Sequence, residues 1–272
     1  MATKTWSEKK RHERGRRALE RQLEYQEKKA SETIQNEDEF LLNIFARSRG
    51  IRQKLEAVQP ISDEARVLEV GSGAHGLIFG FGGKFGVGVD PLAVDYKRLF
   101  PKWQTDAVTV AAIGEELPFS DESFDVVLSD NVIDHAEDPL RIVEELVRVL
   151  KPGGLLYFTV NIHHPIYHLA SKAHGAWNAL GIKFELSPFA DHTVHLTEEV
   201  MREVFARLPL KIHQQNSNVE QIKAAYRQIK SPGAEQRLKK MFFKNALFEV
   251  IAKREDRKSS IGSSKSSIVN RQ

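Results

Sequence analysis

An apolar run that ends in a glycine turn, Ala65-Arg-Val-Leu-Glu-Val-Gly-Ser-Gly-Ala-His-Gly76, constrains this chain more than any other stretch. Val67, Leu68 and Val70 predict a short buried strand, and Gly71, Gly73 and Gly76 let the backbone turn sharply beneath something bulky. Such a turn leaves backbone N–H groups open, so a phosphate, a carboxylate or a ribose is expected on them. The spacing is G-x-G-x-x-G, a weak signal by itself. It gains weight from Gly86-Val-Gly-Val-Asp90, a second short apolar strand ending in a carboxylate 19 positions after Gly71. An acid there is placed to accept both ribose hydroxyls of a nucleoside.

The body of the chain alternates strand and helix. Pro91 to Phe100 predicts a helix, Val108 to Ala112 a third strand, and Phe124 to Ser129 a fourth whose apolar centre suits a parallel sheet. Asp138-Pro139 supplies an N-cap and a helix-opening proline ahead of the apolar face Ile142, Val143, Leu146, Val147 and Leu150. Lys151-Pro-Gly-Gly154 stops that helix, and Leu155 to Val160 is the fifth strand. Thr197 starts another helix, Leu210 to His213 predicts a sixth strand, residues 219–242 a helix broken at Pro232-Gly233, and Ala246 to Ala252 a last strand. The alternation means an α/β, doubly wound, mostly parallel sheet with helices on both faces.

At 272 residues with 41% apolar content, the chain suits one large domain with extensions. Residues 1–59 read as a charged helical extension, 60–254 as the domain, and 255–272 as a disordered basic tail. Within the domain, 162–195 forms a cap over the sheet edge and 216–245 an insertion. Residues 7–30 are almost all charged or strong helix formers, which predicts an exposed helix or one that forms against a partner. Leu41, Ile44, Phe45, Ile51, Leu55 and Val58 then predict one or two amphipathic helices before Pro60.

The net charge of +3 is uneven: residues 1–30 carry +5 and residues 253–272 carry +4, around an acidic middle. Basic termini allow contact with a partner or a membrane surface through the N-terminal helix, but no aromatic-basic stripe points to nucleic acid. No run of eighteen apolar residues and no apolar leader segment is present, so a protein that neither spans the membrane nor is secreted, and is cytoplasmic, is expected. Zero cysteines exclude disulfides, thiolate zinc sites and cysteine nucleophiles.

Four segments together resemble the class I S-adenosylmethionine-dependent methyltransferases, in particular their small-molecule branch. They are Val67-Leu-Glu-Val-Gly-Ser-Gly73, Gly88-Val-Asp90, Leu117-Pro-Phe-Ser-Asp-Glu-Ser-Phe-Asp125 and Leu150-Lys-Pro-Gly-Gly154. The resemblance implies a Rossmann-like seven-stranded sheet, with residues 246–252 as an antiparallel strand between the fifth and sixth. It implies S-adenosyl-L-methionine as cofactor and an unidentified small-molecule acceptor. Glu69 would hold the methionine part through water or backbone; Gly71, Ser72 and Gly73 would let the cofactor approach; Asp90 would grip the ribose. Gly114 and Glu115 would surround the adenine, and Ser129 and Asn131 would lie where the methionine end and the acceptor meet.

Three features depart from the family pattern: His75 stands where glycine is common, Ile113 where an acid usually bonds the adenine amino group, and Gly80, Gly82 and Gly83 weaken the helix expected after the turn. They point to an altered cofactor approach or a non-catalytic relative. Methyl transfer needs a base only where the acceptor keeps a proton, and Asp134 and His135 are the candidates. His163 and His164, beyond the fifth strand, are candidate substrate contacts. A metal site from His163, His164, His192 and His195 has no supporting carboxylate or thiolate spacing, so no metal is expected. Glu115 and Glu116 are adjacent and point to opposite faces of an extended segment, which rules out a paired-carboxylate glycosidase. Two alternatives remain open: an NAD(P)-dependent oxidoreductase, since the glycine fingerprint and Asp90 serve that cofactor too, and a non-catalytic or nucleic-acid-directed protein.

Overall fold

Short strands that are apolar on both faces need helices above and below them, and the structure supplies both. The computed structural model describes residues 6–82, 85–104, 108–166, 196–229, 242–243 and 245–256. Its strands are β1 (Arg66–Val70), β2 (Phe85–Val89), β3 (Val108–Val110), β4 (Phe124–Asp130), β5 (Leu150–Ile162), β6 (Leu210–Ser217) and β7 (Ala246–Arg254). They form one seven-stranded sheet in the order β3-β2-β1-β4-β5-β7-β6. Neighbours from β3 to β5 pair in parallel, whereas β7 runs antiparallel to both β5 and β6, as the resemblance implied.

Register brings the carboxyl ends of three strands together: Val70 lies opposite Val89 of β2 on one side and Ser129 of β4 on the other. On one face the sheet packs on α6 (Pro139–Val149), whose Ile142, Val143 and Leu146 are buried. Asp138 caps that helix, accepting the Arg141 N–H at 3.2 Å, with Pro139 in its first turn. The same face carries α7 (Glu198–Ala206), capped by Thr197, and α8 (Val219–Arg227). On the other face lie α2 (Glu37–Glu56) and α3 (Ile78–Phe81), burying Ile51, Leu55, Leu77 and Phe81 against Val67 and Leu128. Burying a leucine such as Leu55 stabilises by roughly 1.5–3 kcal/mol.

Two expectations change, and the weakened helix after the glycine turn is found as expected. The extension before Pro60 is α1 (Trp6–Gln35) followed by a single helix, α2, and α1 is not simply exposed: Leu19, Leu23 and Ala30 dock on a third cluster with Tyr96, Phe100 and Trp103. The segment after the glycine turn keeps only the four-residue α3, because Gly82 takes φ 78° and ends it. Gly80 is there to let α2 in, since a Cβ would come within 2.6 Å of the Phe45 ring. Finally, β5 starts at Leu150 rather than Leu155, with Gly153 at φ 76° absorbing an irregularity in its pairing with β4. The remaining helices are α4 (Ala93–Leu99) and α5 (Pro101–Gln104). Most of the expected cap, residues 167–195, the break at Pro232-Gly233 and the tail from residue 257 lie outside the described residues. No described helix is long and apolar enough to cross a membrane.

Candidate functional site

Strand order reverses between β1 and β4, and ligands of open α/β sheets settle outside such a switch point. A cleft of about 320 Å³ lies there. Its walls are Val70, Gly71 and Gly73 after β1, Val89 to Leu92 after β2, Ala112, Gly114 and Glu115 after β3, and Asn131 and Val132 after β4. The structure thus gathers Gly71, Gly73, Asp90, Gly114, Glu115 and Asn131 around one space.

The turn itself is built from backbone that only glycine adopts readily: Gly71 has φ 77° and Gly73 φ 53°. A Cβ on Gly71 would overlap the Val132 side chain. The expectation of open N–H groups is corrected here. Gly71 and Ser72 both donate to the Val89 carbonyl, at 2.7 and 3.0 Å, and Gly73 donates to Asp90 Oδ2 at 3.0 Å. Asp90 Oδ1 accepts from Leu92 N at 2.8 Å. Burial pushes the Asp90 carboxyl above its ordinary value, and these two hydrogen bonds partly offset that.

Glu69 is buried beneath the turn and does not line the cleft. Its two oxygens accept the N–H groups of Leu77 at 3.0 Å and Ile78 at 2.8 Å, so it closes the turn from below. Burial raises its carboxyl to about 7, against the pull of those N–H groups and of the Arg47 guanidinium. Ser72 and Ser129 are also buried away from the cleft; Ser72 packs against Gly88, and Ser129 sits inside β4. Asn131 has φ 59°, donates its N–H to Thr159 O and accepts the Asn161 N–H on Oδ1, both at 3.0 Å. Glu115 Oε1 accepts from Glu137 N and Asp138 N at 3.0 and 3.2 Å, pinning the loop after β4.

Of the two departures beside the site, neither faces the cleft. His75 turns its ring among Phe40, Phe100 and Trp103, with centroids 5.3, 5.3 and 5.6 Å away, and burial holds its pKa below the ordinary value. Ile113 is half exposed and does not line the cleft, whereas Gly114 and Glu115 do. Asp134 lies in a 3-10 turn, Ile133–His135, where it is fully buried and does not border the cleft; the side chain of His135 is outside the described part. His163 and His164 line a separate space of about 500 Å³ with Glu198, Glu220, Lys223 and Phe243. His163 is fully buried and accepts the Asn245 N–H at 3.2 Å. His164 packs on Phe242 and Phe243, and burial with the nearby Lys223 charge lowers its pKa. His192 and His195 lie outside the described residues, and no described group of three His, Asp or Glu side chains could hold a metal.

Sequence reasoning missed two contributors. Ala18, Leu19 and Gln22 of α1 complete the cleft wall, a face whose signal is a dilute stripe of small residues from Gly15 to Ala30. Arg47 of α2 pairs with Asp130 at the end of β4, whose other oxygen accepts from the Thr159 hydroxyl at 2.5 Å.

Residues 68–158, from the middle of β1 into β5, match the family model of the methyltransferase domain. This region is a methyltransferase domain. Within it the chain is similar to an uncharacterized methyltransferase of Mycobacterium sp. (strain JLS), 40% identical over 100 residues that cover 35% of this chain and 38% of that protein. A second, from Mycolicibacterium gilvum (strain PYR-GCK), is 37% identical over 99 residues, 35% of this chain and 39% of that protein. The chain spans less than two fifths of the length of these relatives. Two solved structures share the fold around the methyltransferase domain. The YcgJ protein of Bacillus subtilis has a TM-score of 0.52 and 18% identity over 78% of this chain and 99% of that one. The geranyl diphosphate C-methyltransferase of Streptomyces coelicolor A3(2), solved with S-adenosyl-L-homocysteine, has a TM-score of 0.52 and 15% identity over 76% and 79%. The sheet order, with β7 reversed between β5 and β6, is that of the class I methyltransferase fold.

Proposed function

We propose that this chain is a methyltransferase that uses S-adenosyl-L-methionine to methylate a small-molecule acceptor by in-line displacement. The observation that carries the reading is the state of Asp90 and the turn beside it. Each Asp90 oxygen accepts one backbone N–H, and a carboxylate has about four acceptor sites, so lone pairs stay available at the cleft for two ribose hydroxyls. The N–H groups of Gly71, Ser72 and Gly73 are occupied within the fold, so these three are not open to the diphosphate of a dinucleotide. That weighs against the oxidoreductase.

Within this reading Gly114 gives the adenine a side-chain-free wall, because a Cβ there would press to about 3 Å on Ile142 and Val70. Gly71 and Asn131 border the methionine end, and Glu69 acts through the backbone of Leu77 and Ile78. The bound cofactor supplies a sulfonium-activated methyl group. The protein's work is then alignment of donor and acceptor and exclusion of water. As placed, Asp134 presents no carboxylate to the cleft, which favours an acceptor that reacts without it as base. His163 and His164, with the space they line, are the proposed acceptor-side contacts.

Titration calorimetry of the full chain against S-adenosylmethionine, S-adenosylhomocysteine and NAD(H) in parallel tests the assignment. Binding of the two adenosyl compounds alone is expected. Binding of NAD(H) alone, or of none, would overturn it.

A further inference from the structure

We propose that α1 is a lid on the cofactor cleft and that Gln22, carried on it, is a cofactor-contacting residue, so that the adenosyl ligand enters and leaves when α1 lifts. The inference rests on the methyltransferase reading of the cleft. The domain itself builds only the floor and two walls; Ala18, Leu19 and Gln22, which share one helical face, close the side beside Pro91, Leu92 and Tyr96. This is the ribose side, next to Asp90.

The helix bridges both walls. At one end Gly15 rests on Glu137 of the loop after β4, so closely that a Cβ would stand 2.5 Å from Glu137 Oε1. At the other, the Gln22 side chain hydrogen-bonds the Tyr96 hydroxyl, and Glu27 pairs with Arg98 of α4 at 3.1 Å. A ligand held between Asp90 and Asn131 therefore lies under a strap fixed on each side of it.

That strap is thinly held. Its docking face offers Leu19, Leu23 and Ala30 as apolar anchors beside the buried Gln26 and Thr33, and the rest is largely charged and exposed. The Glu27–Arg98 pair is exposed on both sides and screened by water. By contrast α2 is keyed into the domain: Ser48 Oγ donates to Leu77 O at 2.8 Å and Arg52 to Phe81 O at 3.3 Å and Ile61 O at 3.0 Å. Asn36, non-helical at φ −112° and ψ 28°, separates the two helices, so α1 can lift while α2 stays. Elements that gate ligand exchange are drawn from the weakly held parts of a fold.

The test is stopped-flow binding of S-adenosylhomocysteine to the full chain and to three variants. Leu23→Asp removes an apolar anchor that does not line the cleft; its dissociation rate should rise about tenfold or more, with association no slower. Gln22→Ala should raise dissociation several-fold while leaving association unchanged. Glu27→Arg should speed exchange modestly, and the swap Glu27→Arg with Arg98→Glu should restore it, a check that holds even if Leu23→Asp fails to fold. Hydrogen exchange should slow across residues 13–30 when S-adenosylhomocysteine is added. Wild-type rates in folded Leu23→Asp and in Glu27→Arg, with no added protection of α1, would overturn the lid while leaving the cofactor assignment intact. No binding to the wild type would instead overturn the methyltransferase reading, and the lid with it.

Discussion

Asp90 holds the backbone of Gly73: the carboxylate at the end of β2 accepts the turn's N–H at 3.0 Å and so ties the second strand to the loop leaving the first. One side chain thus shapes the turn and borders the cleft. Asp90→Ala should weaken S-adenosylhomocysteine binding by roughly 1.5–3 kcal/mol, the worth of hydrogen bonds to a charged group, and should also lower the melting temperature. Asp90→Asn, which keeps the shape but only one acceptor oxygen, should fall between. Calorimetry on both variants checks the order, and full affinity in a folded Asp90→Ala would refute the role.

Gly71 carries a double constraint, a φ of 77° and the Val132 side chain where a Cβ would go. Gly71→Ala should therefore destabilise the protein and abolish cofactor binding. Adding Val132→Ala removes the two closest Val132 carbons, leaving its Cβ 2.9 Å away, but not the left-handed backbone, which costs about 1–2 kcal/mol in a non-glycine residue. The double variant should recover part of the stability in urea unfolding, and complete recovery would mean that the backbone is not constrained.

Glu69 should make stability depend on pH in an unusual direction. Its carboxyl rises from an ordinary 4.5 to about 7 on folding, so between those values the folded state holds more proton than the unfolded one. Stability contributed by this group is then full below pH 4.5 and is lost as pH rises towards 7. Against Glu69→Gln, which does not titrate, the wild type should lose about 1–3 kcal/mol of unfolding free energy between pH 5 and 8. Urea melts at four pH values measure this; a constant difference between the two proteins would show that Glu69 does not titrate in that window.

Arg148 shows why the segment from Leu117 to Asp125 reads as a motif. Its guanidinium bonds the Phe119 carbonyl at 2.8 Å, the Leu117 carbonyl at 3.1 Å, Asp121 at 2.8 Å and the buried Glu145 at 2.7 Å. It therefore clamps the segment to α6. Arg148→Met leaves the buried Glu145 with only Arg141, at 3.3 Å, and the Leu117 N–H, at 2.9 Å, and should cost about 1–3 kcal/mol. Chemical denaturation of the variant checks it, and adding Glu145→Leu should recover part of the loss.

What the sequence declared and what it withheld follow from the range of the interactions. β1 and α6 were legible because their signals are local: Val67, Leu68 and Val70 make β1 a mostly apolar run, and Asp138-Pro139 writes a helix start. Apart from Glu145, the partners of Arg47 and Arg148 are distant in sequence, and nothing near either arginine announces Asp130 or the Leu117 carbonyl. The turn's N–H groups looked open because their acceptor, Val89 O, comes from the next strand. The cleft-facing side of α1 stayed hidden because it docks through Gly15, Ala18 and Gln22 as much as through leucines, which dilutes the hydrophobic period.

His75 replaces a small residue of the family pattern with a ring stacked on Phe40, and it gives the fold a second titration, opposite in sign to that of Glu69. Burial holds its folded pKa below the ordinary 6.5, so the folded state binds less proton than the unfolded one. Its contribution is present above pH 6.5 and is lost as pH falls below it. The ring contacts Trp103, 5.6 Å between centroids, and Trp103 and Gln104 hold the turn's backbone, Trp103 Nε1 donating to Ala74 O at 2.7 Å and Gln104 Nε2 to Gly73 O at 3.0 Å. Charging it should therefore loosen the cofactor turn as well as the fold. His75→Phe keeps the aromatic contacts without the proton, so the variant should lose less stability, and less affinity for S-adenosylhomocysteine, than the wild type between pH 7 and pH 5. Parallel acid profiles for the two proteins would mean that the ring does not titrate against the turn.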